Sequence, residues 1–128
     1  MRGQATLEYL LLSALALSLI LFSASALCGM KDSAQGNAEM LAFRSDALSL
    51  ADAMSEICAL GNGNGRELAL GSELSIESEK TGEGVLARFS SKNATLVRGF
   101  YCEIEDAKLG RGVVYIENEK GVLVFRGR

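Results

Sequence analysis

The feature that most limits what this chain can become is the stretch from Leu10 to Leu27. Every residue in it is Leu, Ile, Ala, Phe or Ser, and none is charged, Gly or Pro. Extended back through Leu7 and Tyr9, it approaches the ~20 apolar residues that a helix needs to cross a bilayer. Ser13, Ser18, Ser23 and Ser25 interrupt the apolar run, but a serine hydroxyl can bond back to its own helix, so the segment tolerates them. No proline occurs anywhere in the chain, which permits one long uninterrupted helix. Lys31 and Asp32 mark the far boundary of the span. Arg2 is a single positive charge ahead of it, and the positive-inside rule predicts a cytoplasmic N-terminus with everything after residue 27 exported.

The remaining composition narrows the function classes. Net charge is −3, whereas a nucleic-acid binder needs a basic face, so no nucleic acid is expected as a partner. There is no histidine, which removes the commonest general base and the commonest metal ligand. No metal, no cofactor and no catalytic residues are expected, and the chain does not read as an enzyme. Glu77, Glu79, Glu83, Glu103, Glu105 and Glu117 are most simply solvated strand faces and turns. A carboxylate pair for glycoside hydrolysis is the catalytic alternative they leave. The cysteines, Cys28, Cys58 and Cys102, are widely spaced and form no C-x-x-C pair.

Three ordinary readings of the N-terminus compete. A cleaved secretory signal would use Ala24-Ser25-Ala26 as its small-residue site, but its charged region is very short and its apolar core exceeds the usual ~7–15 residues. A lipoprotein signal would end at Cys28, where Leu27 stands in place of a small residue. A plain signal anchor is the third. None accounts for Glu8. A carboxylate moved toward the centre of a spanning helix costs about 2.5–3.5 kcal/mol on insertion scales, so it implies a partner. If the chain were cut between Gly3 and Gln4, Gln4 would carry a new α-ammonium with Glu8 four residues later. That ammonium, or the same group on a neighbouring subunit, would neutralise Glu8. Such a pairing would set axial register between subunits, as a buried polar group does in a coiled coil.

At these residues the chain resembles type IV pilins, which carry glycine before the cut and glutamate at the fifth mature position. More closely, Gln4-Ala5-Thr6-Leu7-Glu8-Tyr9-Leu10-Leu11-Leu12 resembles the archaeal class III signal peptide, Q-x-[S/T]-x-E-x-x-x-L. Gln4, Thr6, Glu8 and Leu12 match every specified position. The resemblance implies a prepilin peptidase that cuts between Gly3 and Gln4, leaving residues 1–3 as leader. Residues 4–27 would then be retained as the transmembrane and filament-core helix, with membrane lipid as its surroundings before assembly and related pilin subunits afterwards. The likeness is strong over roughly the first 27 residues and only architectural beyond them. The leader Met1-Arg2-Gly3 is shorter than many pilin leaders.

Residues 28–60 read as a second, amphipathic helical segment. Met40, Phe43, Ala47, Leu50, Met54 and Ile57 follow a 3-4-3-4-3 spacing, one apolar stripe on a helix. Leu41, Leu48, Ala51 and Cys58 widen it, while Glu39, Arg44, Asp46, Asp52 and Glu56 lie largely elsewhere. The width suits a helix laid on a sheet; a coiled coil is the alternative. Gly29 and Gly36 each cost roughly 1 kcal/mol inside a helix and are expected bend or melting points. A helix from Gln4 to Leu60 would span roughly 85 Å at about 1.5 Å per residue, a length suited to a filament core. Gly61-Asn62-Gly63-Asn64-Gly65 ends it. The Asn-x-Asn spacing faintly resembles a calcium loop, but apart from Glu67 the carboxylates are missing.

From residue 66 the hydrophobic period changes to two. Alternating runs at Glu73–Glu77, Val85–Phe89, Ala94–Arg98, Tyr101–Glu105, Val113–Glu117 and Val122–Phe125, separated by Gly/Asn-rich turns, predict an antiparallel meander over residues 61–128. Val113 to Phe125 reads as a hairpin. The fold class is therefore α+β: a long N-terminal helix, half transmembrane and half amphipathic, packed on a small antiparallel β-sheet. That is also the general plan of pilin heads. Cys58 and Cys102 are positioned to bridge helix to sheet on the exported side, or to remain two buried thiols. Asn93-Ala94-Thr95 is an N-glycosylation acceptor triplet on a predicted turn. Two functions follow as expectations. One is a structural subunit, major or minor, of an archaeal type IV pilus-like surface filament. The other is a membrane-anchored extracellular binding module, or minor pilin adhesin, outside the filament shaft.

Overall fold

The computed structural model describes residues 2–127. Met1 of the expected leader, the side chain of Arg2 and Arg128 lie outside the described residues. One helix, α1, runs Arg2–Leu60, and strands β1 to β8 follow at Gly65–Leu70, Leu74–Thr81, Gly84–Ser90, Thr95–Phe100, Glu103–Ile104, Ala107–Leu109, Gly112–Glu119 and Val122–Gly127. The architecture is α+β. The chain divides into two compact units, Met1–Asn37 and Ala38–Arg128.

The first unit is helix alone. Its expected serines do bond back: Ser13, Ser18 and Ser25 donate to the carbonyls of Leu10, Leu15 and Phe22, and Ser23 to that of Leu19. These bonds satisfy hydroxyls that have no other polar neighbour along an apolar surface. Gly29 and Gly36 do not break the helix, which passes through both. The helical backbone at these points is satisfied along the helix itself, so the glycines cost propensity without ending it.

The second unit holds the head. Its helical part, residues 38–60, buries Phe43, Ala47, Leu50, Ala51, Ala53, Met54 and Ile57 in one core with strand residues. The stripe read from spacing is thus shorter at one end than expected. Met40 is 57% exposed, and Leu41 and Leu48 are also on the surface. Met40 lies one turn before the first residue that the sheets cover. Leu41 and Leu48 are seven apart and share a helix face, turned away from the core. Ala53, absent from the spacing pattern, is also buried.

The sheet layer is two four-stranded sheets, ordered β1-β7-β8-β5 and β4-β3-β2-β6, rather than a single meander. The β2-β3-β4 hairpins and the β7-β8 hairpin are antiparallel as expected. In the latter, Lys120 and Gly121 both take positive φ, the backbone that a tight two-residue hairpin turn requires. Three connections are long-range: β1 with β7, β6 with β2, and the short parallel pairing of β5 with β8. Strands β1 and β6 were not anticipated, and the expected strand at Tyr101–Glu105 shrinks to Glu103–Ile104. At Gly65, where β1 begins, a Cβ would press on the Tyr115 side chain of β7 and displace it.

The Gly61–Gly65 breaker is a helix cap and a turn. Gly61 takes positive φ and its N–H donates to the Ile57 carbonyl at 3.1 Å. The Asn64 amide donates to the Leu60 and Gly61 carbonyls. Together they satisfy carbonyls that a helix end leaves without partners. Asn118, the buried polar residue of β7, pairs this loop through its own backbone, accepting from Gly63 and donating to Asn64.

Candidate functional site

The candidate site is the N-terminal segment, residues 3–27, and it is built entirely from helix. Gly3, Gln4, Thr6, Glu8 and Leu12 all lie on it and all are exposed. Gln4, Glu8 and Leu12 stand at successive i, i+4 positions, so they share one face. The Thr6 hydroxyl donates to the Gly3 carbonyl at 2.8 Å, which ties the motif threonine to the residue before the expected cut. Space is open around Gly3: a Cβ there would meet nothing within 4 Å.

Beyond Glu8 the helix is apolar and uncovered. Leu10, Leu11, Leu12, Leu15, Leu17, Leu19, Ile20, Leu21 and Phe22 are all well exposed, Phe22 at 74%. One helix is long and apolar enough to cross a membrane, and none of its apolar window is buried. A continuous apolar surface of this length exceeds what a water-soluble monomer leaves open. Exposed apolar surface on this scale is what a membrane or a binding partner would cover.

The head offers a different surface. A shallow cleft of about 340 Å³ on the outer face of the β1-β7-β8 sheet is lined by Glu67, Val113, Tyr115, Arg126 and Gly127. Its one cation is already engaged, since Arg126 pairs with Glu119 and more distantly with Glu117. Among the described residues, no group of three His, Cys, Asp or Glu side chains comes together in a way that would hold a metal ion.

Cys58 and Cys102 are joined in a disulfide with Cα atoms 5.8 Å apart. The bridge ties the last turn of α1 to the segment between β4 and β5. Cys28 is exposed and free. Asn93 is exposed in the β3–β4 turn.

Sequence reasoning missed two carboxylates that organise the head. Asp46 on α1 accepts from the Gly71 and Ser72 backbone N–H groups and from the Ser72 hydroxyl, fastening the β1–β2 turn to the helix. Asp106 accepts from the Ser78 N–H and hydroxyl. Those bonds, the backbone one first, hold its carboxyl below the ordinary value of 3.8. Neither pairing has a local signal, because each partner lies far along the chain. No protein-family model, curated protein or solved structure matches this chain.

Proposed function

We propose that this chain is a membrane-anchored structural subunit of a type IV pilus-like surface filament, processed at Gly3-Gln4 by a prepilin peptidase of the class III kind. The observation that carries the reading is Glu8, one turn after Gln4, at the head of an uncharged stretch of helix with no apolar cover. A secretory signal or a plain anchor has no use for that carboxylate. A helix that leaves the bilayer for a bundle of identical helices does. The ammonium created at Gln4 on one subunit and Glu8 on another neutralise each other only at one axial offset, so the pair selects a register. The uncovered leucines supply the contact area, and the head of β1 to β8 faces outward on the exported side.

Mass spectrometry of the mature chain tests processing. A chain beginning at Gln4 is expected; one beginning at Leu27 or Cys28 sinks the proposal. Assembly is tested separately with Glu8→Ala. This variant is expected to be cut normally and to yield no filaments by electron microscopy. Normal filaments from it would remove the register role. A wild-type chain cut at Gln4 that never enters a filament would favour an anchored binding module.

A further inference from the structure

The chain has five asparagines, and of the four that lie outside α1 one has no structural task. Asn62 accepts from the Lys120 N–H, Asn64 caps the helix, and Asn118 is buried and accepts from the Gly121 N–H. Asn37 lies on α1, followed by Ala38 and Glu39. Asn93 stands in the four-residue turn between β3 and β4, where Ser90 pairs with Thr95 and the Ser91 N–H donates to the Ala94 carbonyl at 2.9 Å.

Turns favour asparagine for two reasons: it tolerates positive φ, and its side chain bonds to nearby backbone. Neither operates at Asn93. Lys120 is the non-glycine residue with positive φ among the described residues, and the Asn93 amide makes no hydrogen bond. The residue is exposed, while its neighbour Ala94 packs on the core. Thr95, two residues on, is exposed as well and opens β4, the edge strand of its sheet. One side of the backbone through Ala94 and Thr95 is therefore open to a modifying enzyme.

We propose that Asn93 is an N-glycan acceptor, with Thr95 as the recognition hydroxyl. The acceptor triplet supplies the chemistry, and the turn presents it with a free amide and an open strand edge. The co-substrate is a lipid-phosphate-linked oligosaccharide. The Asn93 amide nitrogen forms a bond to the anomeric carbon, the sugar–phosphate bond breaks, the lipid phosphate leaves with the electron pair, and the amide proton passes to base. The inference rests on the exported placement of the head.

The test uses full-length protein purified from the cells that make it, by intact mass and by mapping the peptide Gly84–Glu103 after reduction and cleavage at glutamate. Wild-type chain is expected to exceed its polypeptide mass by an oligosaccharide carried on Asn93. Asn93→Gln and Thr95→Ala are expected to return to polypeptide mass, and Thr95→Ser to keep the addition. Protease added outside intact cells reports where the head lies. An unmodified Asn93 on a protease-accessible head overturns the proposal and leaves export standing. A protected head overturns both.

Discussion

At the scale of single residues, the head is held by carboxylates whose partners lie far away in the chain. Asp106 shows the consequence for pH. Its folded carboxyl ionises below the ordinary value of 3.8 because the Ser78 N–H and hydroxyl donate to the charged form. A group depressed in this way stabilises the fold fully above its unfolded value, and that stability is lost as pH falls through the folded value. Thermal melts of the wild type are expected to lose this contribution as pH falls below the ordinary value of 3.8, and Asp106→Asn to show a shallower acid slope there. Equal slopes would remove the role. The carboxylate is fully exposed, so the effect is a modest shift in melting temperature. Glu8 belongs to the same scale but is read differently: its position one turn after Gln4 was legible from local spacing, because both residues lie on one helix.

At the scale of elements, the local periods identified most of what formed. The helix, its glycine-rich end, the β2-β3-β4 hairpins and the β7-β8 hairpin all depend on contacts within a short window of sequence. The ends of the pattern failed for a physical reason. Periodicity reports what a helix could bury, and Met40, Leu41 and Leu48 lie beyond what the sheets reach or on the far face. Strand β1 escaped notice since its Gly, Arg and Glu start hides the alternation of Leu68 and Leu70, and its partner β7 is distant. The disulfide joins elements that no local rule connects. Its sequence separation of 44 gives a large closed loop. Chain-entropy reasoning puts the stabilisation from such a loop at about 4 kcal/mol, and measured values run near 2–4. Replacing Cys58 and Cys102 together with alanine is therefore expected to lower the denaturant midpoint of the head markedly. An unchanged midpoint would mean that the bridge adds nothing to the core of α1 and the two sheets.

At the scale of the whole molecule, the two units ask for different solvents. Residues 7–27 present apolar side chains with no cover, whereas residues 38–127 enclose a core of Phe43, Leu50, Met54, Ile76, Phe89, Ile116 and Leu123, among others. A chain beginning at Ala38 is expected to remain in aqueous solution without detergent and to keep the β-rich circular dichroism of the head. The full chain is expected to partition into the detergent phase. Aggregation of the truncated chain would show that the head needs the preceding helix. The amino-acid sequence by itself determined the long apolar helix, the position of Glu8 relative to Gln4, the place where the helix stops and the change to a period of two, since each depends on neighbours a few residues away. Only the tertiary structure decided that the strands divide between two sheets, that Cys58 meets Cys102, that Asp46 and Asp106 fasten turns, and that Asn93, of the turn asparagines, is left with a free amide. Those outcomes depend on which distant segments come together to share one buried core, and a local pattern carries no record of its remote partner.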